Sequence, residues 1–161
     1  MAIVRFRPKK NKDERQYHNK DAVQNAIHYI LRPDKTWHNI IGGIGATIND
    51  EQNAIDQFMK VKRIYRNTKG KQILHFWVSF EHGEVKQLND YLSIGYEIAD
   101  FFDGQYQIVF SLHEDTEIDH IHFVVNTVSF STGKKIRWKK GSWHHLQNHI
   151  DNIMKTREFY R

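Results

Sequence analysis

The chain has 161 residues, a formal net charge of +5, 11 histidines and no cysteine. Those numbers exclude a disulfide framework and a thiolate metal site, and no apolar run approaches the roughly 20 residues of a membrane-spanning helix. The length suits a single domain over residues 1–161, and basic charge beside 13% aromatic residues suits a nucleic-acid surface.

In chain order, Ala2 to Arg7 reads as a short strand, with Val4 and Phe6 alternating against Arg5 and Arg7. "PKKNKDERQYHNK" follows as a loop or mobile arm. "DAVQNAIHYILRP" reads as a helix with Val23, Ile27, Ile30 and Leu31 on one face and Pro33 as its stop. Tyr29 is expected opposite that stripe, beside Ala22 and Ala26. "NIIGGIGATI" is a glycine-rich strand or turn. A second helix starts near Asn49 or Asp50 and runs to about Tyr65, with Ile55, Phe58, Val61 and Tyr65 as candidate core. "QILHFWVSF" is a strand, Val85 to Phe102 is helical, and "QYQIVFSLH" and "DHIHFVVNTVSF" are two strands joined by "EDTEI". A basic, tryptophan-containing segment leads to a last helix from about Ser142 to Met154. The mixture predicts an α+β fold: an antiparallel or mixed sheet with helices on one face.

Period-two alternation sorts three of these strands. Leu74, Phe76, Val78 and Phe80 share one face, and His75, Trp77 and Ser79 the other. Ile108, Phe110 and Leu112 oppose Ser111 and His113; Ile121, Phe123 and Val125 oppose His120, His122 and Asn126. A hairpin through "EDTEI" brings His113 onto His120 and His122. Three neutral imidazoles at that spacing are a metal site. Asp115 and Asp119 are expected to orient the imidazoles through hydrogen bonds. Arg5 and Arg7 reach the same face if the first strand joins this sheet. Lys134, Lys135, Arg137, Lys139 and Lys140, beside Trp138 and Trp143, form a segment suited to single-stranded nucleic acid; a solvated basic hairpin with one core Trp is the plainer alternative.

"HEDTEIDHIHFVVN" resembles the metal motif of the HUH endonucleases, specifically the plasmid mobilisation relaxases. "ILHFWVSF" resembles that family's second motif, with Ser79 as the residue that helps hold DNA near the cut. "AIHYILRPDKT" resembles the first motif, with Tyr29 as nucleophile; Tyr17, in the polar arm, is the rival. The three motifs follow the family's order over roughly residues 20 to 155. The resemblance implies an antiparallel sheet with helices on one face and the metal on the other. It implies metal-dependent, site- and strand-specific nicking and rejoining of single-stranded DNA at a transfer origin, through a 5′-phosphotyrosine. The expected cofactor is a divalent metal ion, Mn or Mg. The expected partners are single-stranded DNA at that origin, accessory origin-binding proteins and a type IV secretion coupling protein. A cytoplasmic monomer without membrane insertion is expected, either a compact relaxase or part of a longer one. A rolling-circle replication initiator and a noncatalytic nucleic-acid-binding module stay open as alternatives.

Overall fold

The computed structural model describes residues 1–6, 17–34, 36–114 and 118–159. The elements are β1 (Ile3–Arg5), α1 (Ala22–Ile30), β2 (Thr36–Ile44), α2 (Glu51–Ile64), β3 (Ile73–Ser79), α3 (Leu88–Ala99), β4 (Ile108–His113), β5 (His120–Asn126) and α4 (Lys140–Phe159). The strands form one five-stranded sheet in the order β1-β3-β5-β4-β2, and every neighbouring pair is antiparallel. β4 and β5 lie inside and are almost wholly buried, polar residues of the alternation included. Among the described residues, no helix is long and apolar enough to cross a membrane.

Two cores flank the sheet. Leu74, Phe76, Val78, Phe110, Leu112, Ile121 and Phe123 pack beneath α3 and α4, against Ile94, Ile98, Leu146 and Ile150. On the reverse face Ile73, Val109 and Val124 pack beneath α1 and α2, against Val23, Ile27, Ile30, Ile55 and Phe58. The expected layout, helices on one face and histidines on the other, holds for α3 and α4. The histidine face nevertheless carries α1 and α2 over part of its area. Its remaining apolar residues need that cover, since the hydrophobic effect does not leave Val109 and Val124 in water.

Several local expectations shift. Ala22 and Ala26 are buried with the α1 stripe, so the apolar arc is wider than the large residues alone suggest and Tyr29 sits at its edge. α2 starts at the Asp50 cap, whose carboxylate accepts from the Gln52 and Asn53 amides. Val61 is only half-buried and Tyr65 is exposed, its hydroxyl donating to the Phe130 carbonyl. Lys62 takes the core position instead. Its Nζ donates to the Gln72 carbonyl at 2.7 Å and to Asn126 Oδ1 at 2.6 Å. Of the glycine-rich stretch, Gly42 and Gly43 lie within β2, which ends at Ile44. Gly42 and Gly95 both abut the outer end of the Phe110 ring, where an added Cβ would lie 2.1 Å and 2.3 Å from it.

That wedge reverses the ordinary effect of a helical glycine. Gly95→Ala should destabilise the protein by about 1–3 kcal/mol through overpacking, although alanine elsewhere in a helix interior gains roughly 1 kcal/mol over glycine. Gly141→Ala, where the new Cβ meets nothing within 4 Å, should be neutral or stabilising. Urea unfolding of both variants checks the opposite signs.

Burial first, and Lys135 second, push the Lys62 amine down to about 7 from 10.5. Between those two values the unfolded chain holds a proton that the folded chain lacks, so stability rises with pH across the interval. Below it both states are protonated and this contribution is flat. Lys62→Met should flatten the rise, measured as the difference between wild-type and variant unfolding free energies from pH 7 to pH 10. The two acceptors keep other donors, Val128 N for Asn126 Oδ1 and Thr127 Oγ1 for the Gln72 carbonyl.

Candidate metal centre

The register assembles two adjacent cross-strand rows on the face shared with α1. One row is Ile3, Ser79, His120, His113 and Thr36; the next is Arg5, Trp77, His122, Ser111 and Ile41. Side chains in such rows stand about 5 Å apart across neighbouring strands. His113 and His120 are direct cross-strand partners. Ring centroids are 4.3 Å apart for His113 and His122, 4.9 Å for His120 and His122, and 5.8 Å for His113 and His120. One ring nitrogen from each lies within 4.8 Å of the others, and among the described residues this cluster contains histidines only.

The rings are not on an open surface. His113 is fully buried, His122 nearly so and His120 half-buried. Burial, then the neighbouring His75, His113 and His120 rings, push the His122 imidazole far below the usual histidine range. It is therefore neutral, with a nitrogen lone pair to offer. Three imidazoles without a carboxylate suit a divalent transition-type cation, and the donor set fits such an ion at His113, His120 and His122.

Hydrogen bonds select which nitrogen each ring offers. His113 Nε2 lies 2.8 Å from the Ile30 carbonyl, an acceptor, so Nε2 carries the proton and Nδ1 the lone pair. His120 Nδ1 lies 2.9 Å from the Ile118 carbonyl, so its lone pair is on Nε2. Ser111 Oγ donates to the same Ile30 carbonyl. That oxygen belongs to the last turn of α1, where the helix itself provides no donor. Two side chains of β4 thus bind the end of α1, and the residue just before Ile30 is Tyr29. Its ring lies over the histidines, with centroids 5.6 Å from His122, 5.8 Å from His113 and 6.1 Å from His75. Tyr29 keeps 37% of its surface exposed.

Other expected site residues fall in different places. Ser79 and Arg5 lie in the two histidine-bearing rows; Arg7 and Asp115 lie outside the described residues. Asp119 precedes His120 on the strand, and alternation turns it to the opposite face. Its carboxylate accepts from the Tyr91 hydroxyl of α3 at 2.5 Å. That bond and, first, burial push the Tyr91 hydroxyl above the usual tyrosine range. The imidazole-orienting role expected of Asp119 is filled by backbone carbonyls instead. Tyr17 is buried among the α1 and α2 core residues, with its hydroxyl 3.4 Å from His75 Nδ1.

The basic segment is not brought to the histidines. Lys135 bridges to Val128, beyond the far end of β5, and six strand residues beyond His122 span about 20 Å. Lys134, Arg137, Lys139 and Lys140 are exposed, whereas Lys135 is half-buried and donates to the Lys69 carbonyl. Trp138 stacks on Phe102 at 5.7 Å and Trp143 on Phe6 at 4.0 Å, both on the α3 and α4 side. Both indoles are half-buried against that core. His75 and Trp77 are the residues whose site role the sequence leaves unassigned. The Trp77 ring stacks on His122 at 5.4 Å. Their signal is their place on the polar face of β3.

The family described as "Relaxase: MobA/VirD2-like, nuclease domain" matches residues 29–159, a stretch that opens on Tyr29. The chain is 28% identical over 145 residues to "Group II intron-interrupted relaxase LtrB" of Lactococcus lactis subsp. cremoris (strain MG1363), covering 75% of this chain and 26% of that protein. It is 29% identical over 106 residues to "Protein rlx" of Staphylococcus aureus, covering 65% of this chain and 31% of that protein. The chain thus spans about a quarter to a third of the length of these curated relatives. No solved structure is a significant match. Matched along most of its length, and with the histidine cluster inside the matched stretch, the chain belongs to the MobA/VirD2-like relaxase family, of which it carries the nuclease domain.

Proposed function

We propose that this chain nicks and rejoins single-stranded DNA at an origin of transfer, in a site- and strand-specific reaction that passes through a 5′-phosphotyrosyl bond to Tyr29. The observation that carries the reading is the Tyr29 ring, part-exposed and less than 6 Å from the His113 and His122 centroids. His113, His120 and His122 would hold a divalent cation, Mn or Mg, which would supply Lewis-acid stabilisation to the scissile phosphate. The remaining chemistry belongs to the chain. The Tyr29 hydroxyl attacks phosphorus, the bond to the 3′ oxygen breaks, and that oxygen leaves as a 3′-hydroxyl. The phenol gives up one proton and the departing oxygen takes one, so the exchange is proton-neutral. One phosphodiester replaces another, which preserves the bond for rejoining.

Ser79, one strand from His120, and Arg5, two strands from His122, flank this point and are suited to hold the adjoining backbone. The exposed Lys134, Arg137, Lys139 and Lys140 bind phosphates several nucleotides away, without base stacking by Trp138. The setting is cytoplasmic and the nuclease acts as a monomer. Accessory origin-binding proteins and a type IV secretion coupling protein act with it.

Incubated with origin single strand and Mn²⁺, the wild-type protein should give a covalent protein–DNA band on a denaturing gel. Tyr29→Phe should remove the band and leave DNA affinity unchanged, whereas Tyr17→Phe should retain it at saturating metal. Loss of the band in Tyr17→Phe alone would transfer the nucleophile to that residue. A wild type that binds DNA but forms no band with several candidate origins would favour a noncatalytic binder.

His120→Ala should weaken Mn²⁺ binding and nicking together, by more than the roughly 10–100-fold that loss of an outer hydrogen-bond partner costs. Titration calorimetry beside the gel checks it. Unchanged metal affinity would remove His120 from the ligand set.

A further inference from the structure

The tautomers of the three proposed ligands are set in two different ways. For His113 and His120 the acceptor is a backbone carbonyl, which has no proton to give. For His122 the partner is another imidazole: His122 Nδ1 lies 3.0 Å from His75 Nε2. That contact is ambiguous in itself, because either nitrogen can hold the shared proton. If His75 donated, His122 would carry its own proton on Nε2 and lose the lone pair on that nitrogen. If His122 donates, the lone pair is on Nε2, and His75 must hold its own proton on Nδ1. His75 Nδ1 faces the Tyr17 hydroxyl at 3.4 Å, an oxygen able to accept it.

We propose that His75 is a positioning residue of the metal centre, accepting the Nδ1 proton of His122 at its own Nε2 while Tyr17 accepts from its Nδ1. The inference rests on the metal reading given above. The arrangement is a three-member relay, Tyr17, His75 and His122, that runs from the α1 and α2 core into the histidine cluster. Each ring is also restrained by its neighbours. Trp77 stacks on His122 with an interplanar angle of 27°, and Tyr17 meets His75 edge-on at 88°. The polarity follows from the chemistry of the end point, because a ligand nitrogen must be unprotonated. Metal-bound histidines commonly donate their second N–H to a carboxylate or a carbonyl. Here the acceptor is neutral and adds no charge.

The test needs no DNA. Mn²⁺ affinity of metal-free wild type, His75→Ala and His75→Gln is measured from the electron paramagnetic resonance signal of the unbound ion, with the thermal melt of each apo protein beside it. Glutamine Oε1 reaches the place of His75 Nε2 and accepts but carries no ring. His75→Ala should bind Mn²⁺ about 10–100-fold more weakly than wild type, and His75→Gln should recover most of that loss. Wild-type affinity in His75→Ala overturns the inference and leaves the metal centre standing. So does a His75→Gln protein as weak as His75→Ala when both melt as wild type does. No Mn²⁺ binding by the wild type overturns the metal centre and the relay with it. A long-range ¹H–¹⁵N imidazole spectrum of the metal-free wild type decides the polarity even where the variants fail to fold. It should show His122 and His75 both as the Nδ1–H form, and an Nε2–H form at His122 sinks the proposal.

Discussion

One carbonyl oxygen organises this site. Ile30 ends α1, and its C=O has no donor within the helix. It is met by Ser111 Oγ and His113 Nε2, two residues on the same face of β4. Three consequences come from that single junction. It closes an otherwise costly buried acceptor, it selects the tautomer of His113, and it fixes the end of the helix that carries Tyr29. A proposed ligand, His113, and the tyrosine above it therefore share one anchor. Shifting α1 by a turn, about 5.4 Å, would break both relations together.

The sheet supplies the rest by alternation. Because each inner strand turns every second residue to the opposite side, one apolar set goes to α3 and α4, while the histidines share the other face with Ile73, Val109 and Val124. A strand pair with His113 opposite His120 then needs no special loop to bring three rings together. The cluster is composed of imidazoles without a carboxylate, so a cation held there would keep its full charge for the phosphate of the proposed reaction.

Strand faces and helix positions were legible in the sequence, since periods of two and of about three and a half are visible in any window. The histidine trio followed from those periods and a short hairpin. The residues that stayed hidden did so for identifiable reasons. His75 lies diagonally from His122, paired with Val124 while Trp77 pairs with His122, and only the register reveals the meeting. The Ile30 carbonyl is backbone, and no side-chain pattern encodes it. Lys62 reads as solvent-facing because a charged residue is rarely buried, whereas its amine satisfies carbonyl acceptors inside. Trp138 and Trp143 lie among cations in a way that suits either base stacking or a basic hairpin with a core Trp, and no sequence pattern shows that their rings stack on Phe102 and Phe6.

The outer strand β1 is short, and one of its sides would stand open to water or to another chain. The side-chain amide of Gln147, from α4, occupies it: Oε1 accepts from the Val4 amide and Nε2 donates to the Ala2 carbonyl. A single glutamine thus imitates a sixth strand for the length of one peptide. β1 and α4 are stitched to each other, so the margin that carries Arg5 is shielded from sticking edge-to-edge to a neighbour. Trimming α4 would fray β1, far away in sequence, and loosen the strand that carries Arg5.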